Sequence, residues 1–307
     1  MSELKMTTAP HIHSGNSSSR VMLDVIIALL PAAAASIVLY GLKALLLIVT
    51  CVAAAVASEY LFNAACKKKQ TVGDLSAVVT GLLLALNLST NVQLWQCIVG
   101  AAVAIVVVKC FFGGLGKNFA NPAITGRVFM LLAFGSVAGG TAPKMLDAVS
   151  SATPLETLGA GTVEGLPGIG SMLIGLRGGA VGEGCIIALL LGFAYLVYRR
   201  VIKWYVPAAF VGTVFVCFLI CSGSFEFALY EILSGGLVLG AVFMATDYVS
   251  TPITQSGRIV FAVGCGLITF VIRQCFAYPE GVSFSILAMN ILTPWIEKWT
   301  ANEPLGG

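Results

Sequence analysis

A succession of long apolar segments constrains this chain most, because few folds can accommodate them. The first two cover residues 22–40 and 44–65, close to the roughly 20 residues with which a helix spans a bilayer. Only 10% of the 307 residues are charged, against about 25% in soluble domains. So few charges cannot cover a water-facing surface, and the sequence therefore predicts an all-α integral membrane protein.

Ten spanning or half-spanning segments follow one another along the chain. They cover 22–40, 44–65, 75–88, 94–112, 119–135, 181–197, 204–221, 232–245, 259–272 and 284–295. We therefore expect about ten transmembrane helices. The predicted divisions are an N-terminal tail (1–20), a first membrane repeat (21–138), a long loop (139–180), a second membrane repeat (181–298) and a C-terminal tail (299–307).

The distribution of positive charge predicts the orientation. With the N-terminus in the cytoplasm and the segments alternating, thirteen of the 17 Lys and Arg residues fall on the cytoplasmic side. Such an excess is the usual sign of cytoplasmic loops. Both tails are then cytoplasmic, and the loop 139–180 is extracytoplasmic.

The two halves of the chain resemble each other. Each has five segments, and the third of each is short and interrupted by glycine, reading TGLLLALNLST in the first half and GGLVLGAVFMATDYVST in the second. Paired short segments favour an inverted repeat with a site between the halves. We expect a five-plus-five inverted repeat with half-helices in each repeat.

Charge and cysteine usage argue against other classes. The net charge of +3 is too small to predict nucleic-acid binding. The nine cysteines contain no CxxC pair and lie mostly in apolar runs, where cysteine behaves as a small buried hydrophobe. We expect no metal site formed by this chain alone.

The loop 139–180 contains the run DAVSSATPLETL, from Asp147 to Leu158. A threonine hydroxyl on an exposed loop, here Thr153, can be esterified by a transferase that approaches past small neighbours. Taken alone, the run is more typical of an ordinary polar turn, or of a helix that starts at Pro154.

The run NFANPAITGRVF places two carboxamides and an arginine near one apolar segment. Asn118 and Asn121 are three residues apart, as on one face of a helical turn, and offer donors and acceptors that suit a polar ring system such as an isoalloxazine. Arg127 lies within the segment, where an arginine faces the protein interior or a cavity. The alternative is that it extends to the cytoplasmic interface.

Two acidic residues stand out in the second half. Asp247, in MATDYVSTPITQSGR, ends a short segment and is a candidate for an ion path, or pairs with Arg258. Glu183 lies at the start of the sixth segment, where it is either an acid of the first helical turn, stabilised by the helix dipole, or a cofactor contact. Asp24, Glu59 and Glu231 lie near helix ends, and we expect them to be ion-pair partners.

Taken together, these motifs resemble one family. APHIHS, SSSRVMLDVIIALLPA, NPAITGRVF, DAVSSATPLETL, MATDYVSTPITQSGR and EGVSFSILAMNILTP are similar, in this order, to the family formed by RnfD of the Rnf complex and NqrB of the sodium-translocating NADH:quinone oxidoreductase. The resemblance extends from Pro10 to Glu297. Ser151 and Tyr248 stand where the family often has Gly and Pro.

The resemblance implies a fold similar to that of urea and ammonium transporters, and a flavin-carrying subunit of an ion-translocating ferredoxin:NAD⁺ oxidoreductase. Such a subunit relays electrons through FMN and contributes to Na⁺ or H⁺ translocation, although the isolated chain is not expected to be catalytic. The implied partners are the Rnf subunits RnfA, RnfB, RnfC, RnfE and RnfG, especially RnfG with its own covalent flavin, together with a flavin transferase and membrane lipid.

The resemblance also assigns residues. It implies FMN linked through a phosphoester to Thr153, within a transferase recognition motif of Asp147, Ser150, Ser151 and Ala152. A second, non-covalent flavin (riboflavin) would contact Asn118 and Asn121, with Arg127 nearby. The alternative function is a small-solute channel or transporter with an inverted repeat and no redox cofactor, which has no need of the Asp147–Thr153 motif.

Overall fold

The fold is all-α in the described part of the chain. The computed structural model describes residues 17–135, 141, 143, 153–159, 161, 163, 165–276 and 280–301. The predicted N-terminal tail up to residue 16, the loop positions Asp147, Ser150, Ser151 and Ala152, and the C-terminal residues 302–307 lie outside the described residues.

Five helical segments make up the first half. They are α1 (Ser18–Tyr40), α2 (Leu42–Ala65), α3 (Ser76–Leu86), α4 (Leu94–Ala102, continued by a π-helix over Val103–Cys110) and α5 (Pro122–Ala133). A single 3-10 turn, Val72–Asp74, precedes α3. Their starts and ends follow the predicted segments within a few residues.

The connecting region and the second half supply the remaining helices. Two short helices, α6 (Pro154–Gly159) and α7 (Ile169–Ile174), and a 3-10 turn at Val181–Glu183 lead to the second half. The second half contains α8 (Ile186–Tyr198), α9 (Tyr205–Ser222), α10 (Phe225–Leu233), α11 (Leu237–Leu239, continued by a π-helix over Gly240–Met244), α12 (Gln255–Cys275) and α13 (Val282–Trp299).

Four of the described helices are long and apolar enough to cross a membrane: α1, α2, α9 and α12. The pair α10–α11 makes a fifth span if it is counted as one, although it is bent by 65°. The bend follows Gly235, whose φ of 64° favours a residue without a side chain. The shorter apolar helices are α3, α4, α5 and α8. The prediction of an all-α membrane protein with several short segments is confirmed at this level.

Close backbone packing joins the two halves where α1 lies on α8. A Cβ atom added to Gly192 would lie 2.3 Å from the backbone oxygen of Ala28, so only glycine allows this approach. Small residues at helix contacts are characteristic of membrane proteins, in which van der Waals packing drives helix association.

Side-chain contacts define two ends of the molecule. Ser19 at the start of α1 contacts Gly73 before α3, and Asp24 pairs with Arg199 after α8. Most of the exposed Lys and Arg residues among the described ones gather at this end, which we call the basic face. At the opposite face, Tyr40 at the end of α1 packs against Gly184 before α8.

Candidate functional site

A pocket of about 80 Å³ opens between the two halves at the basic face. Apolar side chains form much of its wall, and polar groups lie along one side. The polar and ionisable lining residues are Ser76, Thr80, Lys109, Asn118, Asn121, Thr246, Asp247 and Tyr248. We call this the central pocket. It brings together three of the candidate residues from the sequence: both asparagines and Asp247.

The two asparagines do not share a helical turn, because α5 begins only at Pro122. Asn121 is the N-cap of α5, and its Oδ1 accepts from the backbone N of Ala123 at 3.0 Å. Its Nδ2 donates to the carbonyl oxygen of Met244 at 3.4 Å. Asn118 differs, because its Oδ1 is buried and has no hydrogen-bond partner among the described residues. The pocket therefore presents one free acceptor to a ligand donor.

Asp247 follows the π-helix of the second half and lies in the turn beyond it. Its Oδ2 accepts from the Ser250 hydroxyl at 2.9 Å and its Oδ1 from the backbone N of Val249 at 3.4 Å. Burial nevertheless raises the pKa of this carboxyl above its ordinary value. Arg258 donates instead to the carbonyl oxygen of Pro252 at 2.9 Å. The alternative pairing of Asp247 with Arg258 is therefore not formed.

A fully buried ion pair supports the wall of the central pocket. The Nζ of Lys109 lies 2.7 Å from Oε1 of Glu59, and both side chains are at most 2% exposed. Lys109 also donates to the hydroxyl of Ser76 at the start of α3. These contacts fix the ends of α2 and α4 to the start of α3.

Arg127 does not line the central pocket. Its guanidinium donates to Oδ1 of Asn87 at the end of α3 and to Oε2 of Glu280 before α13. A second carboxylate, Oε1 of Glu183, lies 3.9 Å away. The Arg127 side chain is 3% exposed, so the alternative in which it extends to the interface is wrong. We call Arg127, Asn87, Glu183 and Glu280 the central polar cluster.

Glu183 is held by the turn that precedes α8. Its Oε2 accepts from the backbone N of Ala180 at 3.3 Å, while its Oε1 has no hydrogen-bond partner among the described residues. Gly236, at the break between α10 and α11, lies against this oxygen and against Arg127. Glu183 thus lies in the protein interior as a charge partner of Arg127, near the point where the third segment of the second half is broken.

Thr153 is the N-cap of α6 and makes reciprocal hydrogen bonds with Glu156. The Thr153 hydroxyl oxygen accepts from the backbone N of Glu156 at 3.4 Å, and Oε2 of Glu156 accepts from the backbone N of Thr153 at 3.1 Å. The Thr153 side chain is half-buried. Leu155 anchors α6 against Gly235. A cavity of about 270 Å³ lies between α6 and the end of α12, at the face opposite the basic one.

The predicted pairing of the three isolated acids is confirmed. Glu59 pairs with Lys109, Asp24 with Arg199 and Glu231 with Arg273. Sequence reasoning missed the roles of their basic partners, since a separation such as the 50 residues between Glu59 and Lys109 carries no signal in a single sequence. The only available hint was a lone basic residue near the end of an apolar segment.

Spanning apolar helices, helices broken at mid-length and buried charges between the halves define a polytopic membrane protein with a polar interior. Residues 5–306 match the model of the NQR2, RnfD, RnfE family. The chain belongs to this family.

Known relatives match over nearly their full length. The chain is 44% identical to the D subunit of the Na⁺-translocating ferredoxin:NAD⁺ oxidoreductase complex of Acetobacterium woodii, over 100% of this chain and 97% of the relative. It is 38% identical to the D subunit of the proton-translocating ferredoxin:NAD⁺ oxidoreductase complex of Clostridium ljungdahlii, over 98% and 96%. It is also 35% identical to the D subunit of the ion-translocating oxidoreductase complex of Halorhodospira halophila, over 97% and 94%.

Proposed function

We propose that this chain is RnfD, the flavin-carrying membrane subunit of an ion-translocating ferredoxin:NAD⁺ oxidoreductase (Rnf) complex in a bacterial inner membrane. The observation that carries the proposal is the near-complete overlap, at 44% identity, with the D subunit of such a complex from Acetobacterium woodii. Its partners are then the other Rnf subunits, RnfA, RnfB, RnfC, RnfE and RnfG, with membrane lipid around the apolar helices.

The covalent flavin is assigned to Thr153 as a phosphoester of FMN. The hydroxyl oxygen acts as a hydrogen-bond acceptor towards Glu156, and an ester oxygen keeps a lone pair for this bond. The half-buried side chain also leaves the hydroxyl accessible, so the residues present fit the group. The flavin supplies the redox chemistry, and the chain holds it in place. The transferase would recognise Asp147, Ser150, Ser151 and Ala152.

Thr153 is proposed to lie outside the cytoplasm. The support is the gathering of Lys and Arg residues on the basic face, while α6 packs on the opposite face beside Gly235. Electrons from a cytoplasmic donor must then cross the membrane to reach the flavin at Thr153. RnfG, with its own covalent flavin, is the proposed neighbour on that side.

A non-covalent flavin is proposed for the central pocket. The buried, unpartnered Oδ1 of Asn118 fits a ring N–H donor, and the apolar walls suit the faces of a planar ring. Asn121 is a second carboxamide that lines the pocket, although its Oδ1 also caps α5. Arg127 is left out of this site, because its guanidinium bonds to Asn87 and Glu280.

Asp247 is proposed to lie on the path of the translocated Na⁺ or H⁺. It is the one carboxylate among the described lining residues of the central pocket. Buried acids within membrane proteins characteristically mark such paths. Asp247→Asn should abolish ion translocation driven by ferredoxin oxidation in vesicles that contain the complex. Unchanged coupling with a correctly assembled complex would remove Asp247 from the path.

The ten-helix inverted repeat is proposed with support from two ion pairs. Lys109, near the end of the fourth segment, pairs with Glu59 and bonds to Ser76 at the start of the third. Arg273, at the corresponding end of the fourth segment of the second half, pairs with Glu231 and donates to the carbonyl oxygen of Ser234 at 3.2 Å. The two pairs lie on opposite faces, as inversion requires.

A denaturing gel tests the covalent flavin directly. The full chain is expressed with a flavin transferase, and the band is viewed under ultraviolet light. We expect fluorescence from the parent chain and from Thr157→Val, a control one turn away, and a dark band from Thr153→Val. Intact mass should show FMN added with loss of water. A dark parent band would favour the alternative, a solute channel or transporter without a redox cofactor.

A further inference from the structure

A second pocket, of about 90 Å³, lies beside the central pocket on the basic face. Three basic residues line it: Arg200 and Lys203 from the turn between α8 and α9, and Arg258 from the start of α12. Its remaining lining residues are Val201, Ile202, Val206, Ala245, Thr246, Tyr248, Thr251 and Phe261. We call it the cationic pocket.

The positive charges of this pocket are not neutralised within the described chain. Arg200, Lys203 and Arg258 form no ion pair there, whereas Arg199, the immediate neighbour of Arg200, pairs with Asp24 at 3.2 Å. Arg258 uses its Nε on the carbonyl oxygen of Pro252. The two terminal nitrogens of its guanidinium have no hydrogen-bond partner among the described residues.

Nearby carboxylates are engaged elsewhere. Asp247 lines the central pocket and accepts from Ser250 and Val249. Oε1 of Glu297, near the end of α13, accepts from the backbone N of Ile253 at 3.2 Å. No acid is among the described lining residues of the cationic pocket. Because the neighbouring carboxylates are also engaged, the pocket carries a local excess of positive charge.

The floor of the pocket is apolar and buried. Ala245 and Phe261 are fully buried and Thr251 is 7% exposed, whereas Tyr248 is 48% exposed. Arg200 has a φ of 57°, a left-handed conformation that is costly for a residue with a side chain. The three basic residues therefore line a cavity with buried apolar walls, rather than a flat surface exposed to water.

We propose that the cationic pocket binds a phosphate group. Guanidinium groups recognise phosphate oxygens through paired hydrogen bonds, and lysine adds a point charge. Two sources supply this chemistry: the headgroup of an anionic phospholipid, since basic pockets between membrane helices suit such headgroups, and the phosphate of a flavin mononucleotide whose ring occupies the central pocket. The second source rests on the proposed flavin site.

The two pockets adjoin along a shared wall. Val201, Ile202, Thr246 and Tyr248 line both of them. A ligand with a ring in the central pocket and a phosphate at the end of a short chain would pass along this shared wall. Riboflavin would fill the central pocket alone and leave the cationic pocket to a lipid.

The lipid arm of the test uses the purified full chain in neutral detergent. Phosphatidylglycerol or phosphatidylcholine is added, and the bound lipid is measured by native mass spectrometry. We expect retention of phosphatidylglycerol, and an affinity about tenfold lower in Arg258→Gln and Arg200→Gln, which corresponds to about 1.4 kcal/mol. Arg258→Lys should retain much of the binding, and Lys69→Gln, on the same face but outside the pocket, should bind like the parent.

The flavin arm compares FMN with riboflavin on the Thr153→Val chain, where no tethered flavin interferes. Quenching of flavin fluorescence gives both affinities. If the phosphate comes from flavin, FMN should bind about tenfold more tightly than riboflavin, a difference of about 1.4 kcal/mol, and Arg258→Gln should abolish this preference. Equal affinities, combined with retained phosphatidylglycerol, assign the pocket to lipid.

Two results would overturn the proposal. One is the absence of any preference for phosphatidylglycerol over phosphatidylcholine together with no preference for FMN over riboflavin. The other is a loss in Lys69→Gln as large as that in Arg258→Gln, because it would show that only the overall charge of the basic face matters. If neither flavin binds, the proposed flavin site is contradicted, and the lipid measurement alone decides whether the cationic pocket binds a phosphate group.

Discussion

The buried pair between Glu59 and Lys109 allows a quantitative test of how this membrane protein is held together. Glu59→Gln removes the negative charge and leaves the Lys109 ammonium almost completely buried, with only neutral acceptors beside it among the described residues, the carboxamide oxygen and the Ser76 hydroxyl. Removing one partner of a buried pair characteristically costs about 3–5 kcal/mol, since the remaining charge stays desolvated. We expect a loss of that size in the free energy of unfolding.

The chain offers a matched control in the pair between Asp24 and Arg199. It is longer, at 3.2 Å, and Arg199 is 43% exposed. Water can solvate the Arg199 guanidinium when Asp24 is neutralised, so Asp24→Asn should change stability far less than Glu59→Gln. Lys109→Met combined with Glu59→Gln should recover most of the loss, because no unpaired charge then remains buried.

Equilibrium unfolding in mixed detergent and SDS micelles, followed by circular dichroism, measures these differences. The reasoning is refuted if Glu59→Gln costs no more than Asp24→Asn, or if the double variant is less stable than both single variants. Either result would mean that water or lipid headgroups reach Lys109 and solvate it, so burial would not control the cost.

Three further changes give independent predictions, each measured by the same unfolding assay. Gly192→Ala should cost several kcal/mol, because its Cβ would lie 2.3 Å from a backbone oxygen of α1, whereas Gly212→Ala, with nothing within 4 Å, should be nearly neutral. Arg127→Gln should cost about 3–5 kcal/mol, because the buried Glu183 carboxylate loses its charge partner, whereas Glu280, which is 26% exposed, can be solvated. Asp247→Asn should stabilise the chain at neutral pH, because burial raises the pKa of this carboxyl and its charged form therefore destabilises the fold. The gain should vanish as the pH falls to about 4, where the carboxyl takes up its proton in the unfolded chain as well.

The helices were largely predictable from the sequence because apolar runs of sufficient length have few alternatives. The predicted segment 22–40 corresponds to Ser18–Tyr40, and 44–65 to Leu42–Ala65. Most of the helix Phe225–Leu233 falls between the predicted segments 204–221 and 232–245 and was not predicted, since its two glutamates interrupt the apolar pattern. One of them, Glu231, is buried against Arg273, a contact that the sequence does not reveal.

The candidate site was predictable in its residues but not in its arrangement. Asn118, Asn121 and Asp247 were each identified from their own motifs, yet only the fold brings them to one pocket. Arg127 was grouped with the asparagines by proximity in sequence, whereas its contacts are Asn87 and Glu280, 40 and 153 residues away. Long-range pairing of charges depends on helix packing and leaves no periodic signal.

Met244 separates the two polar regions of the interior. On one side, Asn121 of the central pocket donates to its carbonyl oxygen at 3.4 Å. On the other, Nδ2 of Asn87, which belongs to the central polar cluster, lies 3.6 Å from its sulfur atom. Met244 is buried and contacts a residue of each region, so it lies between the central pocket and the central polar cluster. Methionine is flexible and unbranched, and Met244 ends a π-helix, an irregular geometry frequent at functional sites. Met244 is thus a movable side chain beside a polar cluster in which the charge of Arg127 is already balanced by Glu280 and Glu183.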